Sequence, residues 1–408
     1  MSINPSKKQQ LRFFTKFMDA DAMNNKVSEI KSEQDLSPKK YDKDYCKNHY
    51  GKVDRSIVVI DQINLDMSYG STSTMDSIHS NDIQEVFITM KIDSIDDLLR
   101  LIDKYPIISN VKYNINMKSI HNIKEDLVKL NNMIGMTSLK NNIIDQILYF
   151  AQGLHTFAVE TDGDFLHTVI YGPPGTGKTE VAKIMGSIYS KLGILKKNVF
   201  KKASRSDLIA GYLGQTAIKT RDLITSCLGG VLFIDEAYSL GNEEKRDSFA
   251  KEALDTLCEA LSEHKHELMV IIAGYEEELR SCFFNFNKGL ESRFTWRFKT
   301  QNYTPDEMKQ ILEKKITENK WNYKPISVKW FEKNIDYFKY FGRDMETLFS
   351  KMKIAHGRRV FCLPESEKKM ITLEDLEGGF KKYLENDDIK KRKEQSEFKQ
   401  FLQNTLYS

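Results

Sequence analysis

Gly172-Pro-Pro-Gly-Thr-Gly-Lys-Thr179 carries the residue types that a polyphosphate ligand needs. Glycines at 172, 175 and 177 free the backbone to turn N–H groups inward around phosphate oxygens, at the positive end of any helix that follows. Lys178 has the reach for β- and γ-phosphates, and the Thr179 hydroxyl is a ligand for Mg²⁺. The motif is GxxxxGK[ST], which binds phosphate when a strand leads in and a helix leads out. Leu166-His-Thr-Val-Ile-Tyr171 reads as that buried strand, and Glu180 to Leu192 as that helix. Pro174 and Thr176 complete the expected cradle.

Downstream, Gly229-Gly-Val-Leu-Phe-Ile-Asp-Glu236 is a short apolar strand whose end delivers two carboxylates. In this setting Asp235 would hold Mg²⁺ through its water shell, and Glu236 would polarise the water that attacks the γ-phosphate. The pair favours hydrolysis over nucleotide storage. A further strand, Leu268-Met-Val-Ile-Ile-Ala273, follows a helix from Phe249 to His264 and is expected beside the first strand.

These residues need a frame. From about Leu130, long helices alternate with short apolar strands, the layout of a parallel sheet covered by helices. Thr304-Pro-Asp-Glu307 is a capping box with proline at the first helical position, opening a helix to about Asn319. Helices near 328–340, 343–356 and 373–385 follow, the last opened by Thr372. The expected fold class is α/β. A large nucleotide-binding domain spans 126–300, a helical lid 301–386 and a charged tail 387–408.

Residues 1–125 read differently. Stretches 19–52 and 66–82 are rich in Ser, Asn, Asp and Lys, a composition of loops or disorder. Ser56 to Ile60 and Val86 to Ile92 look like strands, and Ser94 can cap a helix running to Ile102. The expectation is a small, partly disordered α+β region with no recognisable chemistry.

With 408 residues, two to three domains of about 150 residues each are expected. The 40% hydrophobic and 29% charged fractions describe a soluble protein. No apolar run approaches the roughly 20 residues that span a bilayer, so a membrane is not expected as a partner. A net charge of +3 argues neither for nor against nucleic acid. Five scattered cysteines without a CxxC pair fit reduced thiols in a cytoplasmic compartment. Cys46 and His49 have the spacing of half a zinc site, but no second pair follows. The apolar and basic residues between Lys7 and Met18 weakly resemble a targeting segment, though a surface helix is favoured. Lys390-Lys-Arg-Lys393 fits a solvated helix face better than a nuclear-import signal.

Longer stretches carry a family resemblance. Gly211-Tyr-Leu-Gly-Gln-Thr-Ala-Ile-Lys-Thr-Arg221, GGVLFIDEAYSL at 229–240, ALDTLCEAL at 253–261, VIIAGYEEEL at 270–279 and Asn287-Lys-Gly-Leu-Glu-Ser-Arg-Phe294 resemble the CbbX/SpoVK (CfxQ-like) branch of AAA+ ATPases. The resemblance spans about 130 to 360. It implies an AAA+ module, a five-stranded parallel sheet flanked by helices, with a lid of four helices. It further implies a ring, expected to be a hexamer, in which Arg293 serves as an arginine finger for the neighbouring subunit's γ-phosphate. Arg343 matches a second sensor that couples the γ-phosphate to the lid. Ile134 and Gly135, within Met133-Ile-Gly-Met136, match the turn lining the adenine pocket. Tyr212 and Leu213 match a pore loop that grips polypeptide. Gly274-Tyr275 stands where many AAA+ proteins place an Asn or Thr; packing and sensing roles for Tyr275 both remain open.

The expectation is an ATP- and Mg²⁺-dependent ring ATPase that remodels or threads a macromolecular partner, a protein in preference to nucleic acid. A nucleotide-locked scaffold with slow turnover and a nucleic-acid translocase are the alternatives. The pore segment has Lys219 and Arg221 but no interleaved aromatics, which weakens the nucleic-acid reading.

Overall fold

The computed structural model describes residues 83–156, 164–212, 214–241 and 247–391. The expected strand at 56–60, the Cys46/His49 pair, the basic end of the tail from 392 and Leu213 lie outside the described residues. Among those described, no helix is long and apolar enough to cross a membrane.

The chain enters through β1 (Gln84–Val86), α1 (Ile95–Lys104) and β2 (Val111–Tyr113), the two strands pairing in parallel. The Ser94 side chain accepts a hydrogen bond from the Asp97 N–H, so the expected cap forms. The strand expected over Val86–Ile92 does not. β1 ends at Val86 because β2 offers it only three partners, and the Asn114 side-chain amide takes both backbone groups of Ile88, at 2.9 and 3.2 Å. Helices α2 (Met117–Asn122), α3 (Lys124–Asn131) and α4 (Thr137–Ala151) follow. Leu98, Ile102, Leu127 and Leu130 enter the same apolar core as Ile184 and Ile188.

Then come β3 (Thr168–Tyr171), α5 (Lys178–Lys191), β4 (Phe200–Ala203), α6 (Arg205–Leu208), α7 (Thr216–Cys227), β5 (Val231–Ile234), α8 (Ser248–Glu263), β6 (Met269–Gly274), α9 (Lys288–Arg293) and β7 (Trp296–Lys299). Between β6 and α9 the chain makes a π turn over Leu279–Phe284. The five strands form one parallel sheet in the order β4-β5-β6-β3-β7, with β6 beside β3 as expected. Side chains alternate faces with a period of two. Ile170, Phe233 and Ile271 join one core, and Val169, Leu232 and Ile272 the other. Burial on both faces is why the inner strands β3, β5 and β6 are continuous apolar runs rather than alternating ones.

The chain continues through α10 (Pro305–Glu318), β8 (Asn322–Tyr323), α11 (Val328–Asn334), α12 (Phe341–Arg359), β9 (Met370–Ile371) and α13 (Leu373–Leu384). The capping box at Thr304 and Glu307 forms, and Thr372 makes a second with Asp375. β8 and β9, which the sequence did not suggest, pair in parallel beside the four helices.

Candidate active site

A cleft of about 970 Å³ opens at the carboxyl ends of β3, β5 and β6 and is closed on its far side by α10 and α12. Ligands of parallel α/β sheets sit at this edge of the sheet. The loop between β3 and α5 forms its floor, with Gly172, Pro174, Gly175, Gly177, Lys178 and Thr179 on the lining.

Gly175 has φ +78 and Gly177 φ +81, left-handed values that L side chains rarely adopt. A Cβ on Gly175 would lie 2.0 Å from the Tyr340 carbonyl oxygen, and the Gly175 carbonyl accepts the Gly342 N–H at 3.0 Å. The loop therefore touches the start of α12 directly. Thr176 turns the other way and is fully buried. Its hydroxyl donates to the Pro173 carbonyl at 2.8 Å, Thr300 donates to that hydroxyl at 3.1 Å, and the Tyr303 hydroxyl donates to its carbonyl at 3.3 Å. Whatever Thr176 offers the cleft comes through its backbone.

The Lys178 ammonium donates to the carbonyls of Gly172 and Pro173, at 2.9 and 2.8 Å. Burial pulls its pKa below the ordinary lysine value, against the opposing pull of Asp235 and Glu236. A nearly buried cation whose hydrogen bonds go to neutral carbonyls is a seat for an anion.

β5 delivers the two acids to the opposite wall. Asp235 Oδ2 accepts from Lys202 Nζ at 2.6 Å. Glu236 is exposed, with φ +50, a strained backbone of the kind that persists at functional sites. The Asp235 carboxylate and the Thr179 hydroxyl line the same cleft and are hard oxygen donors, so this donor set fits a hard divalent cation such as Mg²⁺ with water completing its shell. Tyr238 and Tyr275 stand together on the lining, ring centroids 6.2 Å apart. Burial raises both phenol pKa values, that of Tyr238 to about 12, so both are neutral donors at pH 7.

Of the other residues singled out in the sequence, Ile134 and Arg343 line the cleft. Gly135 adjoins the start of α10, where a Cβ would lie 2.5 Å from Glu307 Oε1. Met133 and Met136 bring their terminal methyls against Gly177. Arg293 lies elsewhere: its guanidinium donates to Ser262 Oγ at 2.6 Å and to the Gly289 carbonyl at 2.7 Å, beside the starts of β3 and β6. Tyr212 is 75% exposed on the loop between α6 and α7. Sequence patterning missed Lys202, Tyr238 and Tyr303. Lys202 and Tyr303 join the site through partners distant in sequence, while Tyr238 follows the acid pair closely but belongs to no motif whose spacing marks it.

The family profile AAA, "ATPase family associated with various cellular activities", matches residues 168–300. A cfxQ-like protein of Acanthamoeba polyphaga mimivirus is 40% identical over 279 residues, which cover 67% of this chain and 68% of that one. Stage V sporulation protein K of Bacillus subtilis is 34% identical over 270 residues, covering 65% of this chain and 80% of its own length. ESX-1 secretion system protein EccA1 of Mycobacterium tuberculosis is 37% identical over 193 residues, which cover 46% of this chain and 34% of that longer protein. The phosphate-loop cleft, the strand order and relatives matched over most of their own length agree, and the chain belongs to the CbbX/SpoVK branch of the AAA+ ATPases.

Proposed function

We propose that this chain hydrolyses ATP with Mg²⁺ and, in a ring of identical subunits, uses that cycle to remodel a protein partner. The observation that carries this is the convergence of Lys178, Thr179, Asp235, Glu236 and Arg343 on one cleft, drawn from the sheet and from the lid. Lys178 and the loop backbone bind the phosphates, while Met133, Ile134 and Met136 supply apolar surface for the base. Thr179 and Asp235 would hold Mg²⁺, which when bound neutralises charge on the β- and γ-phosphates. Glu236 orients and deprotonates the attacking water. Arg343, at the start of α12, answers the γ-phosphate from the lid, and the Gly342–Gly175 hydrogen bond ties that helix to the loop.

Arg293 supports the ring. It lies near the amino end of β3, whereas the phosphate loop leaves the carboxyl end, at least ~13 Å away across a four-residue strand. It therefore serves the neighbouring subunit's site rather than its own. Tyr212, exposed between glycines, offers an aromatic grip to an extended polypeptide. The four described cysteines are free, in keeping with a reducing, cytoplasmic setting.

The test is steady-state ATP turnover of the wild type beside Glu236→Gln and Arg293→Ala, with sizing in ATP and Mg²⁺. Wild-type turnover, a loss of roughly 10²-fold or more in both variants, and a larger assembly trapped by Glu236→Gln are expected. A wild type that binds ATP but neither hydrolyses it nor assembles would favour the scaffold alternative.

A further inference from the structure

Lys202 stands on β4, the edge strand of the sheet, next to Lys201. Edge strands commonly carry lysines that simply reach into solvent and block pairing with other chains. Lys201, exposed on this edge, sends its ammonium to Ser226 Oγ at 3.0 Å, away from the cleft lining. Lys202 points to the other face and does something different. In register with Phe233, it crosses that ring at 6.0 Å from its centroid and ends 2.6 Å from Oδ2 of Asp235, the residue that follows β5. Lys202 and Asp235 both line the cleft, as does Lys178. An ion pair this exposed, 53% for the lysine and 27% for the acid, adds little to stability. Its place beside the acid that would serve the metal is what gives it consequence.

We propose that Lys202 sets the metal dependence of nucleotide binding, an inference that rests on the Mg²⁺-ATP reading of this cleft. The ammonium and a divalent cation compete for one carboxylate. When no metal is bound, the same ammonium neutralises Asp235 and adds positive charge next to the phosphate loop, so ATP is accepted without its metal. Removing it leaves Asp235 uncompensated. A bare carboxylate attracts a dication more strongly and repels a polyphosphate more strongly, so the two effects have opposite signs. A lysine that merely supported the strand would weaken both together.

The measurement is ATP affinity of the full chain by calorimetry, first with EDTA and then across a Mg²⁺ titration, for the wild type, Lys202→Met, Lys202→Gln and Lys202→Arg. Both neutral variants are expected to bind ATP in EDTA roughly threefold to tenfold more weakly than the wild type. Their half-maximal Mg²⁺ concentration should fall by a similar factor, while Lys202→Arg stays near the wild type. The neutral pair guards against a folding defect peculiar to one substitution, checked by matching melting temperatures. If the neutral variants leave both quantities unchanged or weaken both, Lys202 has no such role and the nucleotide site stands without it. If the wild type binds no ATP under either condition, the nucleotide-site reading fails and this inference falls with it.

Discussion

His167 shows how one buried side chain can tie the site to the fold's tolerance of acid. It precedes β3, is fully buried, and bridges two neighbours: Nδ1 accepts the Val270 N–H at 3.1 Å, and Nε2 lies 3.1 Å from the Leu261 carbonyl, to which it donates. Burial pushes its pKa down from 6.5 to about 4. The folded chain keeps the ring neutral while the unfolded chain protonates it below pH 6.5, so this contribution is whole above 6.5 and is lost as pH falls towards 4. The full window is worth about 3 kcal/mol. The melting temperature of the wild type should therefore drop between pH 7 and pH 5 by more than that of His167→Gln; parallel slopes would refute the assignment. Single residues were legible where the ligand's chemistry dictates their spacing. Lys178, Thr179, Asp235 and Glu236 were singled out from sequence by the spacing that a metal-bound triphosphate would ask for, and the fold brings all four onto one cleft. His167, Thr300 and Lys202 meet partners up to 129 residues away, and no local pattern announces such a meeting.

Elements were legible in proportion to their burial. The three inner strands β3, β5 and β6, apolar on both faces, appear within two residues of their expected ends, whereas the edge strands β4 and β7, which carry lysine and arginine, left no such signal. The capping box at Thr304 and the opening threonine at Thr372 placed the starts of α10 and α13 to the residue, because a cap is a local hydrogen bond that sequence alone specifies. The strand expected at Val86–Ile92 shrank because a side-chain amide replaced its ladder, and β8 and β9 are too short to leave a periodic signal. The joint between α12 and α13 was equally invisible. Asp375, 1% exposed at the first turn of α13, takes Arg359 Nε at 2.8 Å and His356 Nδ1 at 3.0 Å, both from α12. Burial works to raise its pKa, but the bonds from Arg359 and His356 outweigh it and bring the value to about 2. Removing the charge leaves a guanidinium without its counterion in a nearly dry joint, at a cost of about 3 kcal/mol. Asp375→Asn should lower the melting temperature by several degrees and speed proteolytic cleavage within 301–386. Cleavage at the wild-type rate would show that the pair does not hold α13 against α12.

At the scale of the whole molecule, the two halves of the proposed catalytic apparatus face in opposite directions. Lys178 and the acids open at the carboxyl edge of the sheet, and Arg293 lies near the amino edge, held by Ser262 and the Gly289 carbonyl. A head-to-tail interface that brings one subunit's amino edge to the next subunit's cleft closes into a ring when the rotation closes, and every site then draws on two chains. That arrangement can be separated from a self-sufficient monomer without knowing the partner. Lys178→Ala removes the phosphate cation and keeps the finger; Arg293→Ala keeps the cation and removes the finger. Each variant alone should be inactive. Mixed in equal amounts, they form some interfaces in which an intact loop from an Arg293→Ala subunit meets an intact finger from a Lys178→Ala subunit. Random assembly makes roughly a quarter of the interfaces of that kind, so turnover should return to about that fraction of the wild type, less whatever coordination around the ring demands. A mixture as inactive as its components would mean that Arg293 acts within its own chain or not on the phosphate at all, and the shared-site mechanism would have to be abandoned.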